Sequence, residues 1–332
     1  MSGEEKDEPS GLELAPPSGV DEAGLGLGPS LHPRFDPSEV FRKHHESLRA
    51  ALADHPHPGF LAGVIHDDNF ATTWVAATED RVRAAIIGRH TRATLPLPRT
   101  HATAALRHLA LLVRAEGPKP VARLLDLQTE IGFADPLGRR VEAIRTDGIT
   151  FLSAGGAVLV LAPTGRNRGL DSDPETAWAS IPPQRWVESR RGHASVEAPS
   201  VENAAHETTI EAQDGPRGCR SALCRAHEIP VGLATVAAGT DETYVRVSGR
   251  ALDEGFLIGR YDRCEVGGPE ADESLSRVHL LVVREGQRII AVDTASTNGT
   301  YIGEDRVHLV DLEERTRLDL GGVLDLTWHI CN

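Results

Sequence analysis

Three short polar stretches contain the side chains best suited to bind a ligand, and each lies at the border of an apolar run. Residues 293–300, Asp-Thr-Ala-Ser-Thr-Asn-Gly-Thr, separate two apolar alternating segments and therefore predict a turn between strands. Asn-Gly alone would make such a turn, because glycine adopts positive φ without steric cost. The hydroxyls and the amide before Gly299 exceed what the turn requires. Upstream, residues 256–260 end an apolar run in Gly-Arg, and residues 275–279, Leu-Ser-Arg-Val-His, open the next run.

The side chains in these stretches suit an anionic ligand with many acceptor oxygens. Arg260 presents a planar, permanently charged fork of donors that fits a phosphate group. Ser276 and Thr297 each offer a hydroxyl, and Arg277 adds positive charge. Asn298 offers both a donor and an acceptor, which suits the backbone of an extended peptide.

Gly-Arg, then Ser-Arg-x-His, then Ser-Thr-Asn-Gly-Thr, with predicted strands between them, resembles the forkhead-associated (FHA) domain. The resemblance covers residues 243 to 330, about a quarter of the chain. It implies an antiparallel β-sandwich whose apical loops bind phosphothreonine peptides. The alternative is a β-sandwich with ordinary polar turns.

The resemblance also assigns roles to individual residues. Arg260 and Ser276 are expected to contact the phosphate, and Thr297 and Asn298 the phosphate and the peptide backbone, with Arg277 adding charge. The residues expected to shape the loops are Gly259, His279 and Gly299.

The N-terminal half repeats this pattern, and we expect residues 70–167 to form a degenerate second sandwich of the FHA type. The matching segments are 85–89 with 256–260, 106–109 with 276–279, 125–132 with 292–299, and Gly155-Gly156 with Gly321-Gly322.

This alignment predicts that the first copy has lost the pocket. Glutamate repels phosphate, and aliphatic side chains offer no donors. Arg89 and Arg107 remain as positive charges. The predicted replacements are Leu106 for Ser276, Leu109 for His279, and Glu130-Ile131 for Thr297-Asn298.

Charge, apolar runs and cysteine usage limit the kinds of partner and the compartment expected for this protein. The net charge of −14 argues against nucleic acid or an anionic membrane as the main partner. Apolar runs of transmembrane length are lacking, and the N-terminus is acidic, unlike a signal peptide. The 4 cysteines show no regular pairing, which fits a reducing compartment. We therefore expect a cytoplasmic protein.

The remaining segments complete an all-β organisation of two tandem sandwiches, an N-terminal helix and a long irregular linker. Residues 1–36 have the composition of a disordered acidic tail. Residues 37–69 are expected to form a helix, which begins at Asp36-Pro37-Ser38, and a segment that leads into the first sandwich. Residues 168–240 are expected to be the linker, and residues 241–332 the FHA domain.

The sequence gives weaker evidence for a metal site, an enzyme active site or a regulatory site. Cys219, Cys224 and His227 have short spacing, but structural zinc needs a second ligand pair, so neither metal nor cofactor is expected. Phosphate-loop, nucleophile-elbow and kinase signatures are absent from the sequence. Thr208 and Thr209, flanked by acid, are candidate regulatory phosphorylation sites that would occupy the site in cis.

We therefore expect a non-enzymatic adaptor that binds a phosphothreonine-containing protein and depends on a Ser/Thr protein kinase. The alternatives are a phosphate-independent structural or secretion-associated scaffold, and an enzyme built on residues 36–170 if the repeat is accidental.

Overall fold

The computed structural model of the protein describes residues 32, 34–98, 104–165, 169–183, 223–267 and 271–331. Within these ranges the chain is mostly β, and its four sheets form two β-sandwiches. The expectation of an all-β chain with two tandem sandwiches is confirmed.

The first sandwich pairs one six-stranded sheet, ordered β2-β1-β11-β10-β7-β8, with one five-stranded sheet, ordered β4-β3-β5-β6-β9. Its strands are β1 (Gly59–His66), β2 (Asn69–Ala76), β3 (Arg83–Gly88), β4 (Leu95–Pro96), β5 (Leu109–Glu116), β6 (Lys119–Asp126), β7 (Phe133–Ala134), β8 (Arg140–Val141), β9 (Ala143–Thr146), β10 (Thr150–Ala154) and β11 (Ala157–Thr164).

The second sandwich has the same two sheets in the same order, β13-β12-β22-β21-β18-β19 and β15-β14-β16-β17-β20. Each strand of one sandwich therefore has an equivalent in the other. Its elements are β12 (Pro230–Ala238), β13 (Asp241–Ser248), α3 (Gly249–Glu254), β14 (Phe256–Gly259), β15 (Val266–Gly267), β16 (Leu280–Glu285), β17 (Arg288–Asp293), β18 (Thr300–Ile302), β19 (Asp305–Val307), β20 (Leu309–Asp311), β21 (Arg317–Leu320) and β22 (Leu324–Ile330).

Both sandwiches begin earlier than the sequence boundaries at residues 70 and 241. Strand β1 lies between β2 and β11 and pairs along its length with β11. It is buried on both faces, with Phe60 and Val64 in the core of the sandwich and Leu61 beneath a helix. It therefore lacks the apolar–polar alternation that marks a half-buried strand.

That helix is α1 (Pro37–Ala53), which begins where the sequence predicts, with Asp36 as its N-cap accepting from the Ser38 amide. A short second helix, α2 (Pro174–Ser180), lies within the segment expected to be linker. The two helices share an apolar cluster on the outside of the first sandwich, where the Trp178 ring lies 5.3 Å from that of Phe41.

The two sandwiches share an apolar interface made by their five-stranded sheets. In β5, Leu109 and Leu111 face the core of their own sandwich, whereas Leu112 faces the other sandwich. In β16, Leu280 likewise faces inward and Leu281 faces the interface. The unbroken aliphatic runs in the sequence are thus strands buried on both faces.

A buried ion cluster lies at the edge of this interface. Glu285 is 5% exposed and accepts from Arg114 Nε at 2.8 Å and from Arg123 Nη1 at 3.3 Å. Arg123 Nη1 also donates to the Arg284 carbonyl at 3.0 Å. Both arginines belong to the first sandwich, so the carboxylate joins the two halves of the molecule.

Glu285→Gln is expected to lower the free energy of unfolding by about 2–4 kcal/mol, because it leaves the Arg123 charge buried without its carboxylate. Asp325→Asn is the control, since Asp325 and Arg317 form a pair whose side chains are 40% and 69% exposed. That change is expected to cost less than about 1 kcal/mol. Equal losses in urea unfolding would contradict a structural role for the Glu285 cluster.

Candidate functional site

Strand pairing brings the first two polar stretches together at one end of the second sandwich. Strand β14 pairs with β16 up to Ile258 and Leu280, and beyond this point the Arg260 amide donates to the Ser276 carbonyl at 3.1 Å. Position 259 has no room for a side chain, because a Cβ atom on Gly259 would lie 2.4 Å from the Arg277 carbonyl oxygen. Arg260 and Ser276 are therefore held on adjacent loops by backbone contacts.

The third stretch, residues 294–299, is organised by Asp293. One carboxylate oxygen accepts from the Ser296 amide at 2.8 Å, and the other accepts from the hydroxyls of Ser296 and Thr300. Ala295 adopts a φ of 62°, a left-handed conformation that costs a non-glycine residue free energy. The carboxylate thus fixes a tight loop and leaves Thr297 and Asn298 exposed at its tip.

His279 links the second stretch to the third. Its ring is fully buried, Nδ1 accepts from the Ser276 amide at 3.2 Å, and Nε2 lies 3.0 Å from the Gly299 carbonyl. The accepting role of Nδ1 places the proton of the neutral ring on Nε2, which donates to Gly299. Burial lowers the pKa of His279 below the ordinary value of 6.5, although Asp293 and the Gly299 carbonyl oppose the shift.

The five residues expected to bind the ligand are gathered on these loops. Ser276 is 7% exposed, and its hydroxyl oxygen accepts from the Thr297 amide at 2.9 Å. Arg260 is half-buried and anchored by Nε to the Leu275 carbonyl at 3.2 Å. Arg277 is exposed, and its guanidinium carbon lies 5.5 Å from the centre of the Tyr261 ring.

Asn298 lies beside these groups and bridges two loops. Its Nδ2 donates to the Ser274 carbonyl at 2.8 Å, while the side chain as a whole stays exposed. The amide group is therefore held at the rim, where its remaining hydrogen-bonding capacity faces solvent.

The first sandwich repeats this loop framework with a register that corrects the sequence alignment by one residue. The Arg89 amide donates to the Ala105 carbonyl, as that of Arg260 does to Ser276. His108 accepts from the Ala105 amide and contacts the Gly132 carbonyl at 2.6 Å, as His279 does with its own loops.

The predictions that Leu106 replaces Ser276 and that Leu109 replaces His279 were therefore wrong. Ala105 stands at the serine position, Leu106 at that of Arg277, and the histidine is retained as His108. Burial also lowers the pKa of His108. The first sandwich therefore keeps the hydrogen bonds that shape the loops, and it differs from the second sandwich at the positions that would face a ligand.

The third loop of the first sandwich matches its counterpart as the sequence predicts. Thr129 binds the Asp126 carboxylate through its amide and hydroxyl, as Ser296 binds Asp293. Glu130 and Ile131 consequently stand where Thr297 and Asn298 stand in the second sandwich. A carboxylate and an aliphatic side chain occupy the tip of this loop.

Two arginines of the first sandwich also contact the site, which sequence reasoning missed. Arg107 Nε donates to the Thr294 carbonyl at 2.8 Å, and Arg92 Nη1 donates to the Ser296 carbonyl at 3.0 Å. These two arginines reach the site because one sandwich packs on the other, and no local sequence motif reveals that packing.

Three further residues singled out from the sequence, Thr208, Thr209 and Cys219, lie outside the described residues. In the ranges that the structure covers, no helix is long and apolar enough to cross a membrane. In those same ranges, no group of three or more His, Cys, Asp or Glu side chains is placed to hold a metal ion.

Comparison with known proteins identifies one domain of the chain. The FHA domain model matches residues 256–321, so the second sandwich contains an FHA domain, as the motifs indicate. A search of curated proteins finds no significant match.

Solved structures also match parts of the chain. The FHA-1 domain of Mycobacterium tuberculosis Rv1747 is 25% identical, with 31% of this chain and 100% of that chain covered and a TM-score of 0.25. The FhaA FHA domain complexed with the intracellular domain of Rv3910 is 23% identical, with coverages of 30% and 99% and a TM-score of 0.24. Mycobacterium tuberculosis EmbR in complex with a low-affinity phosphopeptide is 18% identical, with coverages of 30% and 24% and a TM-score of 0.25.

The buried neutral His279 makes stability dependent on pH. Because its folded pKa is lowered, the unfolded chain binds more protons below about pH 6.5, and stability is lost as the pH falls from there towards the folded pKa. His279→Asn is expected to lower the urea midpoint at pH 7.5 and to reduce its further fall at pH 5.5. His227→Asn, at an exposed position, should behave as the wild type. An unchanged pH dependence in the His279 variant would contradict this assignment.

Proposed function

We propose that the protein is a phosphothreonine-dependent adaptor whose second sandwich captures partners phosphorylated by a Ser/Thr protein kinase. The observation that supports this most strongly is the hydrogen bond from the Thr297 amide to the Ser276 hydroxyl oxygen. It joins two loops into one cradle beside Arg260 through contacts within the protein itself. A cradle fixed in advance loses little conformational entropy on binding.

The local charge supports the same function. The chain has a net charge of −14, yet the loops of this site bring Arg260 and Arg277 to one end of a sandwich. A phosphothreonine supplies nearly two negative charges and three acceptor oxygens, which match guanidinium and hydroxyl donors. In this proposal Arg260 and Ser276 bind the phosphate, and Thr297 and Asn298 bind phosphate and peptide backbone.

The role of the first sandwich differs, because its loop tips cannot replace these contacts. Ala105 lacks the hydroxyl of Ser276, and Glu130 places a negative charge where Thr297 offers a hydroxyl. We assign the phosphothreonine specificity to the second sandwich alone.

Arg260→Ala is expected to weaken binding of phosphothreonine peptides by at least about tenfold, because it removes the main charge-assisted donor. Ser276→Ala and Asn298→Ala should each weaken binding less. The measurement is fluorescence polarisation of the full chain with a peptide pool that has a central phosphothreonine and randomised flanking residues.

Arg89→Ala is the matched control, since Arg89 occupies the equivalent position in the first sandwich. It should leave the affinity unchanged. Equal binding of the phosphorylated and unphosphorylated pools by the wild type would refute the proposed function. Loss of binding in Arg89→Ala, with retention in Arg260→Ala, would place the site in the other sandwich.

A further inference from the structure

Arg107 belongs to the first sandwich but makes its hydrogen bonds with the loops of the second. Its Nε donates to the Thr294 carbonyl and its Nη2 to the Ala295 carbonyl, each at 2.8 Å. The side chain is 5% exposed. Val278 stands at the equivalent position of the second sandwich, one residue before the framework histidine, so the fold itself does not require arginine here.

Arg92 extends this contact along the same loop. Its Nη1 donates to the Ser296 carbonyl at 3.0 Å and also to the Thr297 carbonyl. The two arginines thus engage four consecutive carbonyls, those of residues 294 to 297. These carbonyls are turned towards the first sandwich, which fixes the backbone of the loop that ends in the exposed Thr297 and Asn298.

Arg107 also determines how Ser276 can hydrogen bond. Its Nη2 lies 3.3 Å from the Ser276 hydroxyl oxygen, which already accepts from the Thr297 amide at 2.9 Å. A serine hydroxyl has two acceptor lone pairs and one proton. Because N–H donors address both lone pairs, the proton of Ser276 remains available for an acceptor such as a phosphate oxygen.

The charge of Arg107 favours an anion at the same place. The hydrogen bonds that Arg107 donates to the second sandwich go to uncharged carbonyl and hydroxyl oxygens. Burial lowers the pKa of Arg107, the charges of Arg277 and Arg92 lower it further, and Asp293 opposes the shift. Guanidinium nevertheless stays protonated in proteins. A phosphate dianion beside Ser276 would relieve the repulsion among these cations.

We propose that Arg107 and Arg92 are positioning residues of the phosphothreonine site, so that the degenerate sandwich forms the rear wall of the site. They fix the loop of residues 294 to 297 and hold Ser276 as a hydrogen-bond donor. This inference rests on the proposed function of the second sandwich.

The test uses the full chain with the phosphothreonine peptide pool. Arg107→Met is expected to weaken binding at least about tenfold and to flatten the dependence of Kd on salt concentration, because a charge near the phosphate is lost. Arg107→Lys should weaken binding less and retain the salt dependence. Arg92→Ala, at an exposed side chain, should weaken binding about threefold without disturbing the core.

Arg123→Met is the matched control, because Arg123 is 6% exposed at the same interface but contacts Arg284 and Glu285. It should bind the pool with an affinity within about twofold of the wild type and the same salt dependence. Equal losses in Arg107→Met and Arg123→Met, with unchanged salt dependence, would overturn the inference. Wild-type affinity in Arg107→Met would also overturn the inference. If the Arg107 variants fail to fold, wild-type affinity in Arg92→Ala would overturn it instead. Failure of the wild type to prefer the phosphorylated pool would instead overturn the proposed function.

Discussion

The apolar contact between the two five-stranded sheets is the constraint on which the rest of the molecule depends. Equivalent positions of the two sandwiches supply it, with Ile86 matched by Leu257, and Leu112 by Val283. Burial of such side chains provides the main free energy that holds the halves together, at about 25 cal/mol per Å² of apolar surface. Because these strands are apolar on both faces, the polar side chains that could bind a ligand are confined to the edges of the interface and to the loops.

The interface also explains why the first sandwich remains although its loop tips have lost their donors. Strands β3 and β5 of that sandwich form part of the shared cluster, so they are needed for packing whether or not their loops bind anything. Retention of His108, with the same contacts as His279, preserves the shape of the loops. Ala105 makes its framework contacts through its backbone, so its side chain, like that of Glu130, can differ from the second sandwich without loss of the framework.

Much of this architecture could be predicted from the sequence. The three polar stretches located the loops, and the order of apolar runs revealed the repeat. The register of the first copy was misassigned by one residue, because an aliphatic run buried on both faces has no alternation to show which residue points inward. The backbone hydrogen bond from Arg89 to Ala105 and the hydrogen bonds of His108 establish the correct register. Strand β1 was missed for the same reason.

The role of Arg107 could not be predicted at all, because it depends on contact between segments far apart in sequence. Arg260 and Arg277 can be assigned to the site from their own motifs, whereas Arg107 stands out in the sequence only as a remaining positive charge of the first sandwich. A motif describes what one chain segment can offer, whereas the environment of Ser276 is set by a side chain from the other sandwich.

The most direct test of this account is a crystal structure of the full chain bound to a phosphothreonine peptide selected from the pool. We expect the phosphate oxygens to lie within hydrogen-bonding distance of the Arg260 guanidinium and the Ser276 hydroxyl, with the peptide backbone beside Asn298. A phosphate bound beside Arg89 of the first sandwich, or away from both sets of loops, would contradict it.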